Sequence, residues 1–353
     1  MAVVLLAGTR KGLFLLESDE GRRDWRLEGP LLPGWSVFHA ILDGRDRVLH
    51  AAANSAVYGG TVQRSRDRGK TWQRSESLAL PEDSGLKLGE TWHVEPGRAD
   101  RELWLGAAPG VLFHSEDGGE TWEPVRGIVE HPTRERWHPG GGGMCTHSIQ
   151  VDPSDPRRIY VGISAAGVFR SDDGGEIWMP ANRGVAADFL PEKYPELGQC
   201  VHKLLLHPGR PERLWQQNHC GVYRSDDRGE SWERLDDNGL PSGFGFPLAL
   251  DPDHPDAAFV VPEEGGENRV TCDGRLGVYR TGDGGAHWEL ASAGLPEPAW
   301  AAVKREGMAF DRERVYLGTQ AGVIYAFDRA STRWHEVARD LPEILSIEVA
   351  AWR

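Results

Sequence analysis

The chain has 353 residues, 39% of them hydrophobic, and a net charge of −14 from 40 Lys and Arg against 54 Asp and Glu. This acidic balance argues against nucleic acids and anionic membranes as partners, because like charges repel. No apolar run approaches the roughly 18 residues of a membrane-spanning helix, and the first residues lack the basic start of a secretory signal. Four Cys are too few for a disulfide framework, so we expect a cytoplasmic monomer.

Along the chain, one eight-residue motif of the form S/T-x-D-x-G-x-x-W returns at a steady period. Five complete copies occupy residues 65–72, 115–122, 171–178, 225–232 and 281–288, and two incomplete copies end at Trp25 and Trp334. The tryptophans that close the seven copies are 46 to 56 residues apart. Self-similarity at such a period is the signature of a repeat architecture.

Short β-rich runs surround each motif. Residues 158–170, RIYVGISAAGVFR, contain two apolar runs joined by a glycine turn. THSIQV at 146–151 leads into them, and a fourth run begins at the tryptophan. Four short strands in about 50 residues, repeated seven times, are typical of propeller blades. The sequence therefore predicts an all-β fold, a seven-bladed β-propeller with four-stranded antiparallel blades.

The aspartates of the motif have a structural explanation. Asp and Gly at alternate positions form a tight turn in which the carboxylate accepts backbone N–H groups and Gly adopts a positive φ. A carboxylate needed in every blade serves the blade rather than a reaction. The structural set comprises Asp67, Asp117, Asp173, Asp227 and Asp283.

The two ends of the chain predict closure of the ring. The first repeat lacks a lead-in strand, whereas residues 344–352, ILSIEVAAW, lack a blade of their own. Written under THSIQV, the segment ILSIEV matches at its Ser and at the Ile that follows. We therefore expect the C-terminal strand to complete blade 1, which leaves no open edge and makes residues 1–353 a single domain.

The octets resemble the Asp-box, or BNR, repeat of the sialidase-like superfamily, a WD40/YVTN-like group of propellers. The same box occurs in xyloglucanase modules, photosystem II assembly propellers and sorting-receptor ectodomains, so the resemblance implies the fold and leaves the activity open. Sialidases use three Arg, a Tyr–Glu pair and an Asp in six blades. This sequence has seven units and no Arg-Ile-Pro motif, so it departs from a typical sialidase.

The longest irregular segments map to one face of such a propeller. They are residues 74–90, 126–143, 182–199 and 262–276, and long loops on a rigid scaffold are the usual place for binding. Together with a short turn on the same face, they carry the candidate ligand-binding residues Trp137, His138, Tyr194, His219 and Glu264.

Four histidines recur at the period of the blades. They begin the innermost strands of four adjacent blades, 54, 54 and 55 residues apart: His39, His93, His147 and His202. Imidazoles that converge near a propeller axis could bind one divalent transition metal ion, Zn, Mn or Fe. The alternative is structural, because a residue that recurs at the blade period can hydrogen-bond one blade to the next. The sequence leaves both open.

Two of these histidines follow a cysteine by two positions, in Cys145-x-His147 and Cys200-x-His202. Cys200 and Cys220 could approach each other on the same face. In a cytoplasmic protein we expect two thiols there rather than a disulfide.

Three functions are open from the sequence. The first is a divalent-metal-dependent hydrolase or lyase that acts on a small polar or carbohydrate substrate at the loop-rich mouth of the central channel. The second is a non-catalytic scaffold that binds a protein or a glycan on the same face. The third is a sialidase-like glycoside hydrolase. The restriction of the recurring histidines to four adjacent blades favours the first narrowly and leaves open whether the protein is an enzyme.

Overall fold

Short antiparallel strands joined by tight turns make up the computed structural model, which describes residues 2–352. The chain divides into two units: unit 1 comprises residues 1–180 and 348–353, and unit 2 comprises residues 181–347. Helical structure in the described residues is limited to α1 (Arg126–Val129) and three 3₁₀ turns, Glu82–Ser84, Arg134–Arg136 and Cys272–Gly274. No helix in this range is long and apolar enough to cross a membrane.

Unit 1 contains four groups of strands in chain order, and consecutive strands in each group pair antiparallel. The first group is β1 (Ala2–Thr9), β2 (Gly12–Ser18) and β3 (Arg26–Leu31). The second is β4 (Ser36–Leu42), β5 (Leu49–Ser55), β6 (Gly59–Ser65) and β7 (Gln73–Arg74). The third is β8 (Thr91–Pro96), β9 (Leu103–Ala107), β10 (Val111–Ser115) and β11 (Glu123–Pro124). The fourth is β12 (Thr146–Val151), β13 (Ile159–Ile163), β14 (Gly167–Ser171) and β15 (Met179–Pro180).

Unit 2 repeats the arrangement with three four-stranded groups. The first is β16 (Val201–Leu206), β17 (Leu214–Asn218), β18 (Gly221–Ser225) and β19 (Glu233–Arg234). The second is β20 (Gly245–Leu250), β21 (Ala258–Pro262), β22 (Tyr279–Thr281) and β23 (Glu289–Leu290). The third is β24 (Val303–Phe310), β25 (Arg314–Thr319), β26 (Ile324–Asp328) and β27 (Arg333–Ala338). The last strand, β28 (Ile344–Trp352), begins in unit 2, and its final residues belong to unit 1.

The second strand of most groups is buried on both faces. Every residue of β9, β13, β17 and β21 is buried. Because both faces are covered, β9, β13 and β21 read as nearly continuous apolar runs instead of alternating with polar residues. In contrast, β17 has the sequence LWQQN and buries three polar side chains. In unit 1 the motif residue Trp122 shares a core with Val94 and Phe113, and in unit 2 the motif residue Trp288 shares one with Trp215. Motif tryptophans therefore lie inside the cores of both units, whereas Trp25 and Trp72 are only partly buried.

The motif turns have one geometry. In the first complete copy, Ser65 Oγ donates to Asp67 Oδ1 (2.8 Å) and accepts the N–H of Gly69 (2.8 Å). Asp67 Oδ1 also accepts the N–H of Thr71 (2.9 Å). The same bonds recur in the turns around Asp117, Asp173, Asp227 and Asp283. The hydrogen bond from the Thr71 side chain is the largest of the effects that lower the pKa of Asp67 to about 2.

The all-β class and the four-stranded antiparallel sheets are thus confirmed. The count of seven blades, the closure of the ring and the single domain stay predictions. A difference from the sequence analysis lies in the segment 126–143, predicted to be irregular. It begins with the single helical turn α1, which buries Ile128 and Val129.

Candidate functional site

β-Bulges decide how the four recurring histidines are presented. In β12 and β16 the unpaired residue is the histidine itself, His147 or His202, because pairing resumes at the next residue. In β4 and β8 the unpaired residue is the aromatic one before His39 or His93, and the histidine pairs across the sheet. A bulge re-aims the side chain that it carries. Equal spacing in the sequence therefore does not give four equivalent positions.

His39 and His93 of unit 1 lie against each other. Their rings stack with centroids 4.1 Å apart, and the N–H of Val94 donates to His39 Nδ1 (3.4 Å). A carboxylate lies near each ring, with Glu348 Oε2 3.8 Å from His39 Nε2 and Glu95 Oε2 3.3 Å from His93 Nε2. His39 thus connects β4 to the backbone of β8.

His147, also in unit 1, is fully buried. Its Nδ1 lies 3.1 Å from Ser148 Oγ. Two residues earlier, Cys145 Sγ lies 3.6 Å from Ser164 Oγ. Among residues 2–352, His147 belongs to no group of three side chains with metal-donor atoms close together.

Unit 2 gathers two histidines, a cysteine and two phenylalanines into a group that we call the His202 cluster: Cys200, His202, His219, Phe244 and Phe246. His202 Nε2 lies 3.6 Å from Cys200 Sγ, and its Nδ1 lies 2.6 Å from the carbonyl oxygen of Gly245. A carbonyl oxygen only accepts, so Nδ1 carries the hydrogen and Nε2 presents its lone pair towards the sulfur. Phe246 stacks on His202 at 4.4 Å, and Phe244 stands edge-on to it at 5.2 Å.

His219 is held from two sides. Its backbone N–H donates to the carbonyl oxygen of Cys200 (2.9 Å), and its ring stands edge-on to Phe189 (5.1 Å) and Phe244 (5.0 Å). Gly266 covers the ring, since a Cβ at that position would lie 2.5 Å from His219 Cε1. Only a glycine lets the 262–276 segment come this close to the imidazole.

Glu263 places a carboxyl group in the same part of unit 2. It is 2% exposed, its N–H donates to the carbonyl oxygen of Phe244 (2.9 Å), and its buried Oε2 has no hydrogen-bond partner among the described residues. Burial raises the pKa of Glu263 to about 7, although the charges of Lys304 and Arg269 act in the opposite direction. The group therefore keeps its proton close to neutral pH.

Two arginines bring positive charge to the cluster. The guanidinium carbons of Arg269 and Arg305 lie 5.5 and 5.9 Å from the centre of the Phe246 ring. Burial, followed by the charge of Arg305, lowers the pKa of His202 well below its ordinary value. Burial and the charge of Arg269 lower the pKa of His219. Both imidazoles are therefore neutral at neutral pH.

The predicted ligand-binding residues of unit 1 differ in exposure. Trp137 is buried, its indole N–H donates to Thr133 Oγ1 (3.0 Å), and its ring packs against Phe169 at 4.8 Å. His138, the next residue, is exposed.

The predicted ligand-binding residues of unit 2 also differ in exposure. Tyr194 is 56% exposed, with Lys193 Nζ 5.6 Å from its ring centre. Glu264 is exposed, and its backbone N–H donates to the carbonyl oxygen of Val270 (2.9 Å). His219, as described above, lies within the cluster itself. The binding role of each of these residues stays a prediction.

Sequence reasoning identifies only part of this site. It selects His202 and His219, notes the cysteine two residues before His202, and misses Phe244, Phe246 and Arg305. A sequence signal for the two phenylalanines does exist. The segment FGFP at 244–247 lies at the start of β20, at the place where the segment VHKL with its histidine lies at the start of β16.

Comparison with known proteins finds carbohydrate-active relatives, while no family model matches the chain. A probable oligoxyloglucan-reducing end-specific xyloglucanase of Neosartorya fischeri is 28% identical over 211 residues, which cover 58% of this chain and 22% of that protein. A sialidase of Bacteroides fragilis is 27% identical over 158 residues, which cover 34% of this chain and 28% of that protein. The chain thus spans about a quarter of the length of these relatives.

Solved structures share the fold. The GH74 xyloglucanase from Xanthomonas campestris matches with a TM-score of 0.66 at 20% identity, over 95% of this chain and 52% of that chain. YCF48 from Cyanidioschyzon merolae matches with a TM-score of 0.60 at 15% identity, over 93% of this chain and 96% of that chain. These proteins are β-propellers, and the four-stranded antiparallel sheets of this chain belong to a fold of the same kind.

Proposed function

We propose that this protein binds a carbohydrate at the loops around the His202 cluster. The observation that carries the proposal is a set of exposed aromatic side chains in unit 2, which we call the aromatic rim: Phe189, Tyr194 and Trp300, exposed by 49%, 56% and 65%. Aromatic rings bind the C–H faces of sugars, and large exposed apolar side chains gathered in one place mark a binding surface. The xyloglucanase relatives support a carbohydrate as the ligand class.

Contacts connect the aromatic rim to the cluster. Phe189 stands edge-on to His219, whose ring is covered by Gly266 of the 262–276 segment. Further along that segment, a Cβ on Gly274 would lie 2.7 Å from the indole ring of Trp300. The 262–276 segment therefore contacts the indole ring of Trp300 directly and Phe189 through His219.

Isothermal titration calorimetry with a panel of neutral oligosaccharides, including fragments of xyloglucan, tests the proposal. Phe189→Ala and Trp300→Ala are each expected to weaken binding by about 10-fold or more, as truncation of a central aromatic residue does. Tyr58→Ala is the matched control, because Tyr58 is a 63% exposed aromatic residue of unit 1.

Failure of the whole panel to bind, or an equal loss in the Tyr58→Ala variant, would contradict the proposal. A protein ligand would then be favoured, since a structure described as YCF48 bound to D1 peptide shares the fold at a TM-score of 0.54.

Hydrolysis of the bound glycan is a second candidate function, favoured by Glu263. A carboxyl group with a pKa of about 7 can donate its proton to the glycosidic oxygen as the bond from that oxygen to the anomeric carbon breaks. Water then adds to the anomeric carbon and loses a proton to the solvent, from which the carboxylate is protonated again. Glu263→Gln is expected to reduce the release of reducing ends by about 10²-fold or more without loss of carbohydrate binding. The parent rate should fall as the pH rises above about 7, because the acid form is then lost. Equal activity of Glu263→Gln and the control Glu267→Gln, at an exposed position of the same segment, would exclude this role.

We also propose that the Asp-box repeats form a seven-bladed ring in a single domain, with the C-terminal strand in blade 1. The uniform motif turns and the recurring four-stranded sheets support it. Deletion of residues 344–353 should then lower the melting temperature sharply, and an unchanged melting temperature would argue against closure. The metal site at His39, His93, His147 and His202 and the cytoplasmic location stay predictions.

A further inference from the structure

We propose that Cys200, His202 and His219 bind a closed-shell, thiophilic metal ion, for which zinc is the probe. One donor atom from each side chain lies within 4.8 Å of the others. Tetrahedral zinc holds sulfur at about 2.3 Å and nitrogen at about 2.0–2.1 Å, which sets the two ligands about 3.5–3.6 Å apart. Cys200 Sγ and His202 Nε2 are 3.6 Å apart, so one edge of such a site is already formed.

The surroundings of His202 orient it as a ligand. Its Nδ1 donates to the carbonyl oxygen of Gly245 (2.6 Å), the outer hydrogen bond that a metal-bound histidine commonly makes. Phe244 and Phe246 pack on its ring. The bulge in β16 aims the side chain, and the residue is buried. These contacts orient the lone pair of His202 Nε2 in the absence of a metal ion.

His219 supplies the third donor from the turn after β17. Its N–H is bonded to the carbonyl oxygen of Cys200, and Gly266 and Phe244 restrict its ring. A small movement of this partly exposed side chain brings its nitrogen to tetrahedral distance. Three protein ligands leave a fourth position for water or a ligand, as in catalytic rather than structural zinc sites.

The charge around the cluster selects the kind of ion. Arg269 and Arg305 lie nearby and oppose a cation, whereas the thiolate of Cys200 compensates one positive charge. One thiolate and two imidazoles suit zinc or copper(I) and do not suit calcium or magnesium, which take oxygen ligands. The site does not depend on the proposed carbohydrate function.

Among residues 2–352, one further donor group lies within one unit, and it is less suited to a metal. Asp43, Asp46 and His50 of unit 1 have donor atoms close together. Arg45 already bonds both carboxylate oxygens of Asp43, at 2.9 and 2.6 Å. A metal would have to displace this guanidinium, so the His202 cluster is the stronger candidate.

The test uses the full chain, purified without a histidine tag and with its thiols reduced. Titration with cobalt(II) should give the intense visible bands of a tetrahedral ion and a thiolate-to-cobalt charge-transfer band, and zinc should then displace the cobalt. Two variants probe the ligands: Cys200→Ser removes the thiolate, and His219→Ser removes a partly exposed imidazole. Cys145→Ser is the matched control, since it also alters a cysteine two residues before a bulge histidine.

Each ligand variant should weaken zinc binding by more than about 100-fold, beyond the effect of losing an outer hydrogen-bond partner, and Cys200→Ser should abolish the charge-transfer band. Cys145→Ser should bind zinc as the parent does.

A copper(I) titration is a second experiment, and tight copper(I) binding that Cys200→Ser removes would also support the site. No tight binding of either ion, or equal loss in Cys145→Ser, would overturn the proposal. Should Cys200→Ser fail to fold by circular dichroism, His219→Ser decides. Because the readouts are spectra and metal content, this outcome is separate from that of the carbohydrate experiments.

Discussion

Strands β12 and β16 share a Cys-x-His sequence at their start but lie in different surroundings. Each strand carries a histidine in a bulge, with a cysteine two residues before it. In each, the cysteine carbonyl accepts the N–H of the residue that follows the next strand: Ser164 at 3.0 Å in unit 1 and His219 at 2.9 Å in unit 2. The two sites thus share one backbone frame. They differ in the side chain that this frame presents to the cysteine.

That difference changes the chemistry. In unit 1 a hydroxyl group lies 3.6 Å from the Cys145 sulfur, and in unit 2 an imidazole joins Cys200 and His202. A hydroxyl is a poor ligand for a thiophilic ion, whereas an imidazole is a good one. The residue that follows the second strand, Ser164 in unit 1 and His219 in unit 2, is therefore the difference between a packed strand end and a candidate metal site.

The largest effect on the free energy of unfolding is expected at Glu263, the buried carboxyl group near the His202 cluster. The pKa of Glu263 is raised from 4.5 to about 7, so the folded state binds a proton more tightly than the unfolded state. The stability contributed by this proton is present below about pH 4 and is lost as the pH rises to about 7, a fall of about 3 kcal/mol. Glu263→Gln removes the fall and should be more stable than the parent by up to about that amount near pH 8.

Urea unfolding of parent and variant over this pH range measures the effect as a difference, which cancels the titration of other groups. Glu264→Gln, at an exposed position, should follow the parent. Parallel curves for the parent and Glu263→Gln would mean that the Glu263 carboxyl is not held in its protonated form.

The next effect concerns the two bulge histidines. His147 and His202 are both buried, so His147→Ala and His202→Ala should each reduce the free energy of unfolding by about 2 kcal/mol through lost packing and hydrogen bonding. His202→Phe should recover part of the loss, because the stacking on Phe246 is kept. Denaturant unfolding at one pH compares the three. A loss confined to His202 would show that the bulges are not matched.

The sequence predicts the parts of this fold that are local. The motif turn spans eight residues, so its Ser, Asp, Gly and Trp appear at fixed offsets and mark the connection between the third and fourth strands of a sheet. The bulges are not visible, because a shift of one residue in β12 depends on its pairing with β13. The burial of Glu263 is not visible either, because a loop rich in Glu and Gly reads as solvent-exposed. His219 appears as a lone histidine until the turn brings it to Cys200.

A third test transfers the unit 2 side chain to unit 1. Ser164→His, made in a Cys200→Ser background that silences unit 2, places an imidazole beside Cys145 and His147. The exposed Gly140 lies near the residue after Ser164, since a Cβ on Gly140 would be 3.6 Å from Ala165 Cβ. Zinc affinity should rise by about 10-fold, equivalent to about 1.4 kcal/mol. A folded variant with unchanged affinity would show that the turn residue alone does not make the site.

The smallest expected effect lies in the motif turns, which connect the third strand to the fourth in a sheet of each unit, and here the units should behave alike. Asp173 accepts bonds from Ser171 Oγ (2.8 Å) and the N–H of Ile177 (3.0 Å), and Asp227 accepts the same pair from Ser225 (2.7 Å) and Ser231 (2.9 Å). Each Asp→Ala variant should lose about 1 kcal/mol of stability, as for the loss of a capping carboxylate.

This stabilisation should depend on pH. The hydrogen bond from the N–H of Ile177 is the largest of the effects that lower the pKa of Asp173, so the stabilisation is lost as the pH falls through the lowered pKa. The free energies of unfolding of Asp173→Ala and the parent should therefore become equal in acid. Zinc and oligosaccharide binding should stay at parental values in both variants. Loss of either ligand at unchanged stability would place the binding site at the motif turns instead of at the loops around the His202 cluster.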